Sequence, residues 1–181
     1  IAVTGHSRGG KTTLVAGASD KRITLVNDNA SCAGGSAAFR YVGHSGETLS
    51  IIDEIPSWFG SGLRPYLGRE DDIPFDQHCL LATIAPRPLL LTYALDDRWS
   101  NPEGMVQSAW AAGEIYGFLG VPDNLAFHLR EGEHAHAPED WDVLLDFIGW
   151  KWQAQEPKAS YNEHPYHHLQ PALIHPLGPR R

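Results

Sequence analysis

Short apolar runs alternate with longer segments whose apolar residues recur at helical spacing. The apolar runs predict β-strands buried on both faces, and they lie at residues 1–3, 88–94 and 125–129. The helical spacing follows the first run, at Leu14, Val15 and Ala18, and returns between Trp141 and Trp150. Strands that alternate with helices predict a parallel sheet flanked by helices.

Residues 5–13 follow the first predicted strand and satisfy two incompatible motifs. Gly5-His6-Ser7-Arg8-Gly9 is G-x-S-x-G, a nucleophile elbow in which Ser7 attacks and glycines permit the sharp turn. Residues 5–12 also read G-x-x-x-x-G-K-T, a P-loop in which Lys11 and Thr12 would hold a nucleotide and its magnesium. The remaining chain has to distinguish a hydrolase from a nucleotide-binding protein.

Polar residues after the two later strands favour the elbow. Asp96 and Asp97 follow the strand at 88–94, and His134 and His136 follow the strand at 125–129. Serine, acid, histidine is the order of the triad in the α/β-hydrolase fold, whereas a P-loop protein leaves the histidines unexplained. We therefore expect an α/β-hydrolase fold. Because almost nothing precedes the elbow, we expect this chain to be its C-terminal portion, with N-terminal strands missing.

The offset from the strand end favours Asp97 over Asp96 as the acid. His134 is the expected base and His136 the second candidate. The backbone N–H of Arg8, directly after the nucleophile, is expected in the oxyanion hole. Should neither late aspartate serve as the acid, Asp28 is the next candidate.

Composition sets limits on partners and on the domain. The 181 residues are 42% hydrophobic and carry a net charge of −8, which argues against nucleic-acid binding. No stretch is apolar enough to span a membrane. Residues 1–152 form the expected catalytic domain. Prolines alternate with histidines in residues 153–181, which predicts an extended or disordered tail, solvated in preference to metal-binding. Cys32 and Cys79 leave a disulfide and two free thiols both open.

Further motifs extend the elbow and give the chain a specific resemblance. The elbow continues to Lys11 as G-x-S-R-x-G-K, and the other matching segments lie at residues 29–35, 56–59, 74–80, 84–88, 97–99 and 134–141. On these residues the chain, from Ile1 to about Trp150, resembles the glucuronoyl esterases, carbohydrate esterases of the α/β-hydrolase superfamily.

The resemblance implies an activity and further site residues. It implies hydrolysis of (4-O-methyl-)glucuronic acid esters in glucuronoxylan, including lignin–carbohydrate esters, without a cofactor or metal. The Arg8 side chain would assist the oxyanion hole, and Lys11 and Trp99 would contact the sugar. Glu47 and Glu54 are further sugar contacts that cannot be aligned securely, and Trp58 is expected in the core. Such a polymeric substrate implies a secreted or periplasmic enzyme, of open oligomeric state.

The chain departs from the family pattern at two positions, and two other functions remain open. Ala30 stands where many members carry the acid as glutamate, so the chain resembles the bacterial members whose acid follows the later strand, here Asp97. His6 stands where fungal members have a disulfide-bonded cysteine. A generic carboxylesterase or acetyl-xylan esterase would use the same triad, and a catalytically silent fragment is the alternative from another class.

Overall fold

Four parallel strands in chain order form the central sheet of this computed structural model. The structure describes residues 1–173. The strands are β1 (Ala2–His6), β2 (Leu25–Asn29), β3 (Leu89–Ala94) and β4 (Leu125–Arg130). Each strand pairs in parallel with the next, so all four carboxyl ends meet at one edge of the sheet. This confirms the expected parallel sheet.

Five α-helices connect and follow the strands. They are α1 (Arg8–Ser19), α2 (Ile51–Glu54), α3 (Gln77–Ala82), α4 (Pro102–Phe118) and α5 (Pro138–Gln153). Short 3-10 helices lie at Pro56–Trp58, Ser61–Tyr66, Glu70–Asp72, Arg98–Ser100 and Pro122–Asn124. Proline at the start of α4 and of α5 supplies the fixed φ that favours a helix N-terminus.

The alternation of side chains along β3 divides the core into two layers. Leu89, Leu91 and Tyr93 pack with the apolar residues of α1, α3 and α4. Leu90 points to the other face and packs with Val143, Leu144 and Phe147 of α5. Helices therefore cover both faces of the sheet, which explains why β3 is apolar at nearly every position.

Strand β2 is not among the strands predicted from the sequence, yet it lies between β1 and β3 in the sheet. Asn27, Asp28 and Asn29 disfavour strands, but all three side chains are buried here. Asn27 accepts a hydrogen bond from Thr4 on β1, and Asn29 donates to Thr92 on β3. Side-chain bonds to the neighbouring strands therefore give partners to Asn27 and Asn29, which propensity alone would place in a loop.

Residues 154–173, the described part of the expected tail, contain no helix or strand, as an extended segment would. Most of these residues are exposed, but a few of them pack on the domain. Leu169 and Leu173 are buried, and the Asn162 side chain accepts the backbone N–H of Phe127 on β4. His167 and His168 stay exposed, whereas His175 lies outside the described residues. Within 1–173 there is no group of three side chains suited to a metal ion.

The two cysteines are not bonded to each other. Cys32 is buried, Cys79 is exposed, and both are free thiols. Among residues 1–173 no helix combines the length and the apolar content needed to cross a bilayer.

Leu169 should contribute measurably to stability because it anchors the tail. It is 6% exposed and belongs to the core layer of α1, α3 and α4. Leu169→Ala should lower the free energy of unfolding by ~2–3 kcal/mol in urea denaturation. The adjacent exposed Gln170→Ala should change it by less than ~0.5 kcal/mol. Equal, small effects of both substitutions would show that the tail does not dock in solution.

Candidate active site

Ser7 occupies a tight turn between β1 and α1, at the carboxyl edge of the sheet. Its backbone has φ 55° and ψ −122°, a conformation that L-residues rarely adopt. The backbone N–H of Ser7 donates to Asn29 O of β2 at 2.8 Å, which ties the turn to the sheet. The Ser7 hydroxyl makes no cap bond to α1. The structure thus presents Ser7 as an elbow serine and not as a helix cap.

The turn depends on Gly5 and Gly10. A Cβ on Gly5 would collide with Gly9 O and Thr13 Oγ1, and one on Gly10 would collide with Asp28 Oδ1. A Cβ on Gly9 would meet no atom within 4 Å. The expectation that the turn requires glycine at position 9 is therefore wrong. The second position at which a side chain would collide is Gly10.

Asp97 and His134 meet at the same edge, as predicted from the sequence. The Nδ1–H of His134 donates to Asp97 Oδ2 at 2.6 Å, and the backbone N–H of Ser100 donates to Asp97 Oδ1. Asp97 is 5% exposed, so its charge is largely shielded from water. With Nδ1 protonated, the second ring nitrogen of His134 is left as a proton acceptor.

The competing candidates have other partners. Asp96 accepts the backbone N–H of Gly132, which links the acid loop to the histidine loop. His136 stacks between His6 and Trp141. Asp28 is fully buried and accepts from the hydroxyls of Ser31 and Ser36. None of these contacts is the one expected of a triad acid or base.

The Asp97–His134 contact shifts the pKa of both groups. The hydrogen bond to Asp97 raises the pKa of His134 above 6.5, against partial desolvation. Burial alone would raise the pKa of Asp97, but the hydrogen bonds from His134 and Ser100 outweigh it and lower the pKa. The contribution of His134 to stability is therefore lost as pH rises through its raised pKa, and that of Asp97 as pH falls through its lowered pKa.

Lys11 is buried, unlike an ordinary lysine on a helix surface. It is 8% exposed, and its ammonium donates to Glu47 Oε1 at 2.8 Å, to Ser31 O at 2.7 Å and to Ala33 O. An ammonium has three protons, and these acceptors use all of them. Lys11 is thus committed to protein groups, and the acidic Glu47 beside it does not suit a phosphate. The P-loop interpretation of the elbow fails on this geometry.

Glu47 is a candidate residue whose position in the site could not be predicted from the sequence. It is 3% exposed, and its second oxygen accepts the indole N–H of Trp99 at 3.1 Å. Glu47 therefore joins Lys11 of α1 to Trp99 of the acid loop. Trp99 is 50% exposed and not a core anchor, whereas Glu54 is exposed at the end of α2. Glu47 lies in irregular chain, where no periodicity marks a functional position.

Arg8 begins α1, next to Ser7, and its side chain is exposed. Its guanidinium lies 5.8 Å from the ring centroid of Trp58, within the range of a cation–π contact. Trp58 is half-buried and lines a cavity of about 550 Å³ together with Arg8, Lys11 and Phe59. Trp58 thus forms a wall beside the elbow, in place of its expected position in the core.

An elbow serine, an Asp–His pair and a parallel sheet that brings all three to one edge are the arrangement typical of the α/β-hydrolase fold. Comparison with known proteins identifies the family. Residues 1–120 match the family model described as glucuronyl esterase, fungi. The chain belongs to the glucuronoyl esterase family.

Individual relatives agree with the family. The carbohydrate esterase MZ0003 from an unknown prokaryotic organism is 40% identical over 163 residues, covering 81% of this chain and 37% of that protein. The 4-O-methyl-glucuronoyl methylesterase of Schizophyllum commune is 35% identical over 81% of this chain and 38% of its own length. The chain thus spans less than half the length of these relatives.

Solved structures support the fold. A carbohydrate esterase family 15 glucuronoyl esterase from Caldicellulosiruptor kristjansonii superimposes with a TM-score of 0.83 at 38% identity, covering 91% of this chain and 46% of that one. A mutant glucuronoyl esterase from Sporotrichum thermophile, in complex with methyl 4-O-methyl-β-D-glucopyranuronate, gives 0.73 at 29% identity, covering 86% and 44%.

Lys11→Met should destabilise the chain, because it leaves the Glu47 carboxylate buried without its ammonium. We expect a loss of ~3 kcal/mol in the free energy of unfolding, measured by urea denaturation. Lys11→Met combined with Glu47→Gln removes the stranded charge and should recover part of that loss. A loss below ~1 kcal/mol in the single variant would show that the ion pair is exposed to solvent and weak.

His134 should titrate above 6.5 because Asp97 stabilises its charged form. The proton on its ring carbon, followed by NMR against pH, reports this pKa directly. Asp97→Asn should lower the pKa of His134. Asp96→Asn is the matched control and should leave it unchanged, since asparagine can still accept the Gly132 N–H. A larger effect from Asp96→Asn would move the acid assignment by one residue.

Proposed function

We propose that the chain carries the Ser-His-Asp machinery of an esterase that cleaves esters of (4-O-methyl-)glucuronic acid. Ser7 is the nucleophile, His134 the base and Asp97 the acid. The observation that carries the proposal is the 2.6 Å bond from His134 Nδ1 to buried Asp97, at the sheet edge where the elbow presents Ser7. The glucuronoyl esterase family to which the chain belongs supports the same reaction.

The first half-reaction transfers the uronoyl group to Ser7. His134 Nε2 takes the hydroxyl proton as Ser7 Oγ attacks the ester carbonyl, and a tetrahedral oxyanion forms. The Asp97 carboxylate stabilises the resulting imidazolium through Nδ1. His134 then returns the proton to the alkoxy oxygen, the C–O bond breaks and the alcohol leaves. Water attacks the acyl-enzyme by the same route, releasing the uronic acid and Ser7.

Arg8 supplies the charge that the oxyanion needs. Its backbone N–H lies in the first turn of α1, where unpaired N–H groups and the helix dipole favour negative charge. A cation in that turn is unfavourable for the helix itself, so its position next to Ser7 supports a catalytic purpose. An oxyanion donor contributes ~3 kcal/mol to the transition state.

The cluster formed by Lys11, Glu47 and Trp99 favours a sugar acid as the acyl group. A half-exposed indole offers a flat face to a sugar ring, and Glu47 retains lone pairs that accept from hydroxyls. Lys11 acts on the sugar through Glu47, because its own three protons are already used. This revises the expectation of a direct Lys11 contact to the sugar, and it makes Glu47 the group that selects hydroxyls.

The same cluster favours a glucuronoyl esterase over the two other esterases that would use the same triad. A generic carboxylesterase or acetyl-xylan esterase needs no sugar-selecting carboxylate beside the acyl group. The substrate proposed is glucuronoxylan, with lignin–carbohydrate esters as the natural form. A polymer of the plant cell wall has to be met outside the cytoplasm, so the proposal includes a secreted or periplasmic location.

Substitutions in the proposed triad should reduce ester cleavage, each to a different extent. Ser7→Ala should abolish release of glucuronic acid from its methyl ester, because no other nucleophile occupies the elbow. Asp97→Asn should reduce kcat by ~10⁴-fold, whereas Asp96→Asn should stay near wild type. An active Ser7→Ala variant would overturn the hydrolase proposal. A folded wild-type chain that releases no acid would support the catalytically silent alternative.

A second substrate separates sugar recognition from chemistry. Glu47→Gln should raise KM for methyl glucuronate more than it lowers kcat, because the lost contact is to the sugar and not to the reacting carbonyl. An aryl acetate has no sugar and should be cleaved as before. Equal losses on both substrates would favour the generic esterase.

A further inference from the structure

Arg130 and Asp140 form a buried ion pair beneath the loop that carries His134. Arg130 ends β4 and Asp140 lies in the first turn of α5. Arg130 Nε donates to Asp140 Oδ2 at 3.0 Å, and the two side chains are 5% and 0% exposed. The same Asp140 oxygen also accepts the backbone N–H of Ala137 at 2.7 Å.

The rest of the guanidinium is bonded to the loop itself. Its Nη1 donates to Glu131 O at 2.8 Å, and its Nη2 donates to Glu133 O at 3.3 Å and to Ala135 O at 2.7 Å. The last two carbonyls belong to the residues on either side of His134. Gly132 turns with φ 96°, and a Cβ there would come within 3.1 Å of Nη1. The loop is therefore wrapped around the Arg130 side chain.

We propose that Arg130 is the positioning residue of the general base, a template around which residues 131–135 fold so that His134 reaches both Asp97 and Ser7. The proposal rests on the function proposed above. Asp140 supplies the counter-charge that allows a guanidinium to remain buried. Asp96 holds the same loop from the other side through Gly132.

A purely structural role explains the pair less well. Buried ion pairs add little stability over apolar residues of the same size, because desolvation offsets their attraction. Here one oxygen of Asp140 is also buried without a hydrogen-bond partner. The planar fork of arginine can reach a carboxylate and several carbonyls at once, which the compact ammonium of lysine cannot do. What the pair provides is the fixed path of the loop on both sides of His134.

The pKa of His134 reports this positioning without any need for catalysis. The charged and titratable groups that face His134 are Asp97, Glu47, Lys11 and, in ring contact at 4.5 Å, His6. Replacing Arg130 and Asp140 alters none of them. A changed pKa therefore shows that His134 has moved relative to Asp97.

The test replaces the pair with apolar residues of similar size, Arg130→Met with Asp140→Leu. Because no charge is left stranded, we expect cooperative unfolding close to wild type. We also expect the pKa of His134 to fall, by NMR, as its bond to Asp97 loosens. For the methyl ester of glucuronic acid, kcat should fall by ~10²-fold with KM nearly unchanged, the cost of a misplaced catalytic group.

Arg87→Met is the matched control. Arg87 also donates to three backbone carbonyls, those of Asp20, Ile23 and Ile84, but it precedes β3 at the opposite edge of the sheet. It should lower stability and leave the pKa of His134 unchanged. Arg130→Lys keeps the charge without the fork, so it should shift the pKa in the same direction even if the double variant fails to fold.

The proposal is overturned if the folded double variant, or Arg130→Lys, keeps the wild-type pKa of His134. An equal pKa shift from Arg87→Met would also overturn it, because the effect would then be general loosening. These readouts stand even if the wild-type chain cleaves no ester, since that result counts against the proposed function and not against the position of His134.

Discussion

The site depends on one kind of interaction, the pairing of opposite charges that are buried near the carboxyl edge of the sheet. Lys11 pairs with Glu47, Arg130 with Asp140, and His134 with Asp97. Glu47, Asp97 and His134 lie outside the helices and strands, and Arg130 bonds to the backbone carbonyls on both sides of His134. A buried charge left unpaired costs several kcal/mol, so each pair confines its loop to a narrow range of positions. The loops that bear Glu47, Asp97 and His134 are thereby held at the carboxyl edge of the sheet.

The buried polar side chain of Asn29 on β2 also fixes the turn at Ser7 relative to the sheet. The side-chain oxygen of Asn29 accepts from Nδ1 of His6, the residue before Ser7, and its amide group donates to Thr92 of β3. The same residue accepts the Ser7 N–H through its backbone carbonyl. The elbow is therefore bonded to the neighbouring strand through both main chain and side chain. Such a network stabilises a single arrangement only when all its members are satisfied, which places a high demand on the residues around Asn29.

The parts of the molecule that the sequence predicted are those that local rules control. The apolar runs predicted β3 and β4, and the G-x-S-x-G motif predicted the turn at Ser7. Both signals depend only on residues that are neighbours in the sequence. The order of acid and histidine then placed Asp97 and His134 at one edge. Glu47 was a candidate that the sequence could not place, and Arg130 was not predicted, because the importance of each lies in an ion-pair partner, Lys11 or Asp140, that no spacing reveals. The docked tail escaped for the same reason, since its few apolar residues gain meaning only from the surface that receives them.

The same pairing of buried charges bears on the position of the proposed triad acid. Parallel strands end at a common edge, so an acid that follows either β2 or β3 lies within range of one histidine. Ala30 follows β2, is 2% exposed, and bonds to Thr92 O through its backbone. A glutamate at that position would add a second negative charge to an edge where Asp97 already pairs with His134. Two nearby carboxylates cannot both stay ionised at low cost, so one of them would have to take up a proton. With the uncharged alanine at position 30, Asp97 is the carboxylate that accepts the hydrogen bond from His134.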